Sequence, residues 1–249
     1  MVAEDKVRYI GIFSDGVTDR EILLKIAQCV LEGIGTNNLS LEPVMLPRQS
    51  IRDHVDKYWV ESKNCDKCGF PEKSAREELK DRVVNTVDGA LRDFQAKAGR
   101  KLTTYDMLLF STDAERYLTQ SERYFDDWAW ILSKILLGAV EKFYHFKLRE
   151  VFYPEYLPMV FSLVLFPSTE IIVKAARTAS GVEFNGRNKS ARQLKREIYG
   201  TDDLRSLPDV KFEREALDYI TPEGISAIYR HVPESRLFLQ MLSWAKFDS

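Results

Sequence analysis

The chain is poor in cysteine and histidine and has no excess of charge of either sign, and each shortage closes off a class of explanation. Three cysteines in 249 residues cannot pair completely within one chain, which argues for a reducing compartment and a cytoplasmic location rather than a disulfide-stapled secreted domain. The three histidines, His54, His145 and His231, stand in unrelated contexts with no zinc-protease spacing. A formal net charge of −2 supplies no global basic field of the kind that announces nucleic acid. No uninterrupted apolar stretch approaches a membrane span, and Met1-Val2-Ala3-Glu4-Asp5-Lys6 lacks the basic-then-apolar order of a signal peptide, so no membrane association is expected. A Gly-Lys-Ser/Thr phosphate loop is missing and Gly11 and Gly16 form no dinucleotide fingerprint, which argues against ATP hydrolysis by this chain alone. Ser168 lacks the flanking glycines of a nucleophile elbow.

What is present is an ordinary globular composition, 45% hydrophobic and 30% charged, enough to bury a sizeable core as one large domain or a domain with an appended lobe. Its most informative segment is the opening. The apolar run Tyr9-Ile10-Gly11-Ile12-Phe13 ends at Ser14-Asp15-Gly16-Val17-Thr18-Asp19 and then becomes helical. A buried parallel strand there delivers Asp15 to its carboxyl end, Gly16 permits a tight turn, and Thr18 or Asp19 is placed to cap the helix. Ligands of open α/β sheets bind at that edge.

The following helix is marked by Ile22, Leu23, Ile26, Ala27, Val30, Leu31 and Ile34 at helical spacing, with Gly33 or Gly35 to end it. Leu41 to Pro47 reads as a short strand whose prolines push it to an edge. From Pro71 to about Lys97 an apolar stripe of Leu79, Val83, Val84, Val87, Leu91 and Phe94 predicts a long helix that Gly99 closes. A second apolar run, Tyr105 to Phe110, ends at Ser111-Thr112-Asp113-Ala114-Glu115, and a third, Met159 to Phe166, ends at Pro167-Ser168-Thr169-Glu170. Between them, the aromatic-rich stretch from Tyr124 to Phe143 predicts a core helix. Beyond Ile171 the chain reads as mostly helical, with helices around Phe212 to Tyr219 and Pro222 to Trp244.

Two local features admit more than one reading. Arg187 to Arg196 carries five positive side chains, of which Arg192, Lys195 and Arg196 share a helix face; this is either a solvated face or a phosphate-contacting surface. Cys65 and Cys68 have the spacing of half a zinc knuckle, but the other half is missing and His54 is the nearest histidine, so two reduced thiols in a loop are the default. The strand-end acids likewise divide: Asp15, Asp19, Asp113, Glu115 and Glu170 are each placed to cap a helix start, yet three apolar strands ending in acids converge in space if those strands are parallel neighbours.

Ile12-Phe13-Ser14-Asp15-Gly16-Val17-Thr18-Asp19 resembles the opening of Toprim domains in the OLD-like nucleases and related families, where apolar residues precede Glu-Gly-x-Thr-Glu. Leu108-Leu109-Phe110-Ser111-Thr112-Asp113 is similar to the second Toprim motif, Asp-x-Asp at a strand end, with Ser111 in place of the first Asp. Phe166 to Ala175, followed by Lys189 and by Leu194 to Tyr199, resembles the C-terminal part of the small Toprim-like proteins of the DUF4276 type. The resemblance implies an α/β fold with a Toprim-like, mainly parallel sheet, helices on both faces and a helical C-terminal extension. It places a core over residues 1–180, with an irregular insertion at about 47–72, and the extension over 181–249.

The function implied is a metal-dependent phosphodiesterase or nuclease acting on nucleic acid, plausible in anti-phage defence, with Mg²⁺ or Mn²⁺ as cofactor. Carried over, Asp15, Asp113 and Glu170 bind metal, Asp19 joins them as a catalytic acid, and Lys189, Arg192 and Lys195 hold phosphate or nucleic acid. Asp15 is one methylene shorter than the family's Glu and Ser111 is neutral where a carboxylate is expected, departures that weaken a hard-cation site. They support the alternative, a non-catalytic Toprim-like subunit that binds nucleic acid or a separate ATPase partner. A homo-oligomer is compatible with either.

Overall fold

The computed structural model describes residues 8–14, 16–33, 41–45, 73–103, 106–113 and 159–244. The predicted aromatic helix from Tyr124 to Phe143, the insertion at 47–72 with Cys65, Cys68 and His54, and the acids Asp15 and Glu115 lie outside the described residues. In chain order the elements are β1 (Arg8–Phe13), α1 (Val17–Gly33), β2 (Leu41–Met45), α2 (Lys73–Ala98), β3 (Met107–Asp113), β4 (Met159–Leu165), α3 (Glu170–Ala176), α4 (Ala191–Tyr199), α5 (Asp209–Glu215), α6 (Pro222–His231) and α7 (Arg236–Trp244). The class is α/β.

The chain divides into two compact units, one of Arg8–Asp15 with Glu42–Val164, the other of Met1–Val7, Gly16–Leu41 and Leu165–Ser249. In the second of these, α1 and α3 group with the C-terminal helices.

The first unit is built on a four-stranded sheet of order β2-β1-β3-β4. β1 and β3 are parallel, with Ile10 opposite Met107, Gly11 opposite Leu108, Ile12 opposite Leu109 and Phe13 opposite Phe110. Their paired residues, Ile10 to Phe13 and Met107 to Phe110, are all apolar or glycine and all buried, the pattern of a parallel strand covered on both faces. β2, with Pro43 inside it, takes the edge, where a residue without an N–H costs least.

Side chains on one face of β1 and β3 meet α2. A Cβ at Gly11 would stand 2.8 Å from Leu108 Cδ1 and 3.2 Å from the Phe94 ring, so glycine is what lets α2 approach the sheet. Phe13 and Phe110 pack on that same face, ring centroids 5.4 Å apart. Gly99, with φ of +65°, ends α2 in the left-handed conformation that glycine adopts without penalty.

At the amino end of the pair sits Asp106, fully buried. Its carboxylate accepts from Arg100 twice, at 2.7 and 2.8 Å, from the Thr103 N–H at 2.7 Å and from the Tyr9 N–H of β1 at 3.1 Å. The side chain thus ties the turn after α2 to β1.

In the second unit α3 is buried all round, through Ile171, Ile172, Val173, Ala175 and Ala176, as a helix inside a bundle must be. It packs on α4 and α6, while α1 packs on α6 and α7 through the predicted stripe of Ile22, Leu23, Ile26 and Ala27. Ser190 and Gln193 form a reciprocal capping box at the start of α4, and Gly200, at φ +75°, closes it. Pro233 separates α6 from α7, dividing the predicted segment from Pro222 to Trp244.

Two substitutions test this framework. Gly11→Ala should destabilise by ~1–3 kcal/mol through overpacking, and the loss should shrink in a Leu108→Ala background; equal losses in both backgrounds, read from urea unfolding, would contradict the contact. Asp106→Ala should cost about 3 kcal/mol, because it removes the buried acceptor that the Arg100 guanidinium and the half-buried Tyr9 and Thr103 N–H groups share.

Candidate functional site

The strand order reverses between β1 and β3, since β2 lies on one side of β1 and β3 on the other. Open α/β sheets commonly take ligands outside the carboxyl ends of strands at such a reversal. Side chains alternate along a strand, so with Gly11, Phe13, Leu108 and Phe110 facing α2, the other face carries Ile10, Ile12 and Ser14 from β1 and Met107, Leu109, Ser111 and Asp113 from β3. One step beyond the observed register, which ends at Phe13 opposite Phe110, Ser14 would fall beside Ser111. Both are buried, Ser111 at 2% exposure, whereas Asp113 is partly exposed. Thr112 belongs to the α2 face.

The described donors on this face are therefore one carboxylate and two hydroxyls, all hard oxygens. Among the described residues no group of three or more His, Cys, Asp or Glu is placed to hold a metal ion. Magnesium retains several waters and is commonly held by one or two carboxylates; Asp113 is the carboxylate that β3 brings to this face. The donor set does not fit zinc, which takes nitrogen and sulfur.

Other predicted acids belong to the second unit. Glu170 is the first residue of α3 and fully buried; its Oε2 accepts the Ser168 hydroxyl at 2.5 Å and its Oε1 stands 3.7 Å from Lys195 Nζ. Asp19, expected at the cap of α1, is instead its third residue, 8% exposed, with its carboxylate turned back over Gly16. Both carboxylates act on the phenol of Tyr199, whose pKa is driven far above its ordinary value first by burial, then by the charges of Glu170 and Asp19, against a smaller opposing effect of Arg177. The phenol is protonated throughout the physiological range. It is 1% exposed, and its oxygen has no hydrogen-bond partner among the described residues.

The predicted phosphate contacts are occupied by carboxylates. Lys189 Nζ donates to Glu197 and, at 3.2 Å, to Asn185, while Lys174 reaches Glu197 at 3.1 Å. The Lys189 hydrogen bond leads in holding the Glu197 carboxyl below its usual range, with Lys174 adding to it. Arg192 and Arg196 share Asp202, at 2.8 and 3.2 Å, and Lys195 faces Glu170. With Arg187 on Glu234, the five cations of residues 187–196 pair with four carboxylates, so the segment is an ion-paired surface.

The residues that sequence reasoning passed over are Ser14, Ser168, Asp106 and Tyr199. Serines at strand ends carry no periodic signal. Tyr199 continues the apolar face of Leu194 and Ile198 and reads as core, which it is apart from its hydroxyl.

Removing that hydroxyl should cost nothing: Tyr199→Phe is expected to hold or raise the melting temperature, because an unpaired buried polar group is deleted. A loss of more than ~1 kcal/mol in unfolding free energy would show that the phenol is bonded after all.

No family model, no curated protein and no solved structure matches the chain, so its function is read from its own residues.

Proposed function

We propose that the chain is a Mg²⁺- or Mn²⁺-dependent phosphodiesterase acting on nucleic acid, with a Toprim-like sheet and its site at the carboxyl ends of β1 and β3. What supports this reading is the parallel pairing of β1 with β3 from Ile10–Met107 to Phe13–Phe110, beside the point where strand order reverses, beyond which strand alternation puts Ser111 and Asp113 of β3 on one face. Asp113, with Asp15, would hold the cation, which when bound neutralises a phosphodiester and lowers the pKa of a coordinated water. The chain's own contribution is to fix the carboxylate on a rigid strand rather than on a loop.

Glu170 and Asp19 enter this reading through the family resemblance. Their buried surroundings, with Ser168, Lys195 and Tyr199, equally suit a structural role that holds the start of α3 and α4 together.

A second reading, a non-catalytic subunit that binds nucleic acid or docks on an ATPase, is favoured by Ser111. Its hydroxyl stands where a fully carboxylate site would place an acid, and one fewer anionic ligand weakens the hold on a hard cation.

Calorimetric titration with Mn²⁺ separates these readings from one in which the acids only cap helices. Wild type should bind saturably and Asp113→Ala should lose the binding, at least tenfold in affinity, with the melting temperature little changed; an Asp113→Ala variant that binds as wild type removes Asp113 from the site. Metal-dependent cleavage of DNA or RNA by the chain alone then favours the enzyme, and activity only in complex with a partner favours the subunit.

A further inference from the structure

Ser111 is buried on the same face of β3 as Asp113, two residues before it, and its Oγ has no hydrogen-bond partner among the described residues. Native proteins rarely leave a buried hydroxyl unsatisfied, and where they do a bound group often completes it. The two side chains differ in what they offer. Asp113 is a negatively charged acceptor, suited to a cation; Ser111 is neutral and can donate. Asp113 is partly exposed.

A ligand that answers both carries a cation and an acceptor oxygen side by side, which describes a phosphate ester with its counterion. An acid at position 111 would strengthen the hold on the cation but repel the ester's anionic oxygen. A hydroxyl does the reverse, giving up some cation affinity for a charge-assisted hydrogen bond to that oxygen.

We propose that Ser111 is a phosphate-binding residue, donating its hydroxyl to a non-bridging oxygen of a phosphodiester whose cation is held at Asp113, so that cation and diester bind cooperatively. The proposal rests on the cation site argued above, and it assigns to that site a weak affinity for metal alone and a stronger one for metal with diester. Coupling of this kind is reciprocal and commonly amounts to about 5- to 150-fold.

The test is calorimetric titration of the full chain with Mn²⁺, with and without dimethyl phosphate, on wild type, Ser111→Ala, Ser111→Thr and Asp113→Ala. Ser111→Thr keeps a hydroxyl on a residue suited to a strand, and thermal melts verify that each variant is folded. The diester should raise Mn²⁺ affinity roughly tenfold in wild type and Ser111→Thr and leave it unchanged in Ser111→Ala. If Ser111→Ala keeps the enhancement, or wild type shows none while still binding Mn²⁺ through Asp113, the role of Ser111 is overturned and the cation site stands. If wild type binds no Mn²⁺ under either condition, both fall together.

Discussion

The geometry of the sheet depends on one buried carboxylate. Asp106 gathers the guanidinium of Arg100, the N–H and hydroxyl of Thr103 and the N–H of Tyr9, joining the end of α2, the turn after it and the first paired residues of β1 and β3. Charge-assisted bonds of this number offset the burial of the carboxylate. Arg100 in turn lies over the Tyr9 ring, 4.9 Å from its centroid, and its pKa is raised chiefly by the Asp106 hydrogen bond. Since side chains alternate at every residue, a one-residue slip of β1 against β3 would exchange the two faces of the strand that slipped. The pairing of Ile10 with Met107 that Asp106 anchors therefore fixes the register through to Phe13 and Phe110 at the far end.

The second unit uses arginine for the same purpose. Arg187 binds the Glu234 carboxylate through both terminal nitrogens and donates to the Phe166 and His231 carbonyls, while Phe184 stacks on His231 at 4.7 Å. Arg177 donates to the backbone and side chain of Glu215 and to the Ile198 carbonyl, with its guanidinium over Tyr219. A planar fork with five donors in fixed geometry binds a carboxylate through two nitrogens while reaching further acceptors. These clasps link segments some forty residues apart in the chain, around an apolar centre formed by α3.

The elements legible in the sequence were those whose signal is local. The stripe of α1, the Gly99 stop of α2, the apolar run of β3 and the edge position that Pro43 imposes on β2 all follow from periodicity or backbone chemistry within a few residues. What escaped depends on distant partners. Asp106 sits inside a run that reads as the start of a strand, and nothing nearby signals that Tyr9, almost a hundred residues earlier, donates to it. The acids that occupy Lys189, Arg192 and Lys195 lie on neighbouring turns or on another helix, so a cluster of positive charge in sequence became a set of shared ion pairs. The candidate site was half legible: Asp113 stands at a strand end as expected, but its relation to Ser14 is a matter of register, which only the pairing reveals.

Among the described residues two buried hydroxyls have no hydrogen-bond partner, and their surroundings give them different meanings. Tyr199 is packed within the second unit at the end of a helix, its phenol raised by burial and by two carboxylates, and a group so enclosed is explained by the aromatic ring it brings to the core. Ser111 brings no such bulk. Alanine or valine would fill a strand position there at no polar cost, and the residues before it, Leu108, Leu109 and Phe110, are apolar. A small polar side chain at the carboxyl end of a central parallel strand, on the face that carries Asp113, makes a poorer core than its neighbours and a better contact for a ligand, and in that respect it is the residue at which the stability of the sheet and the chemistry of its edge part company.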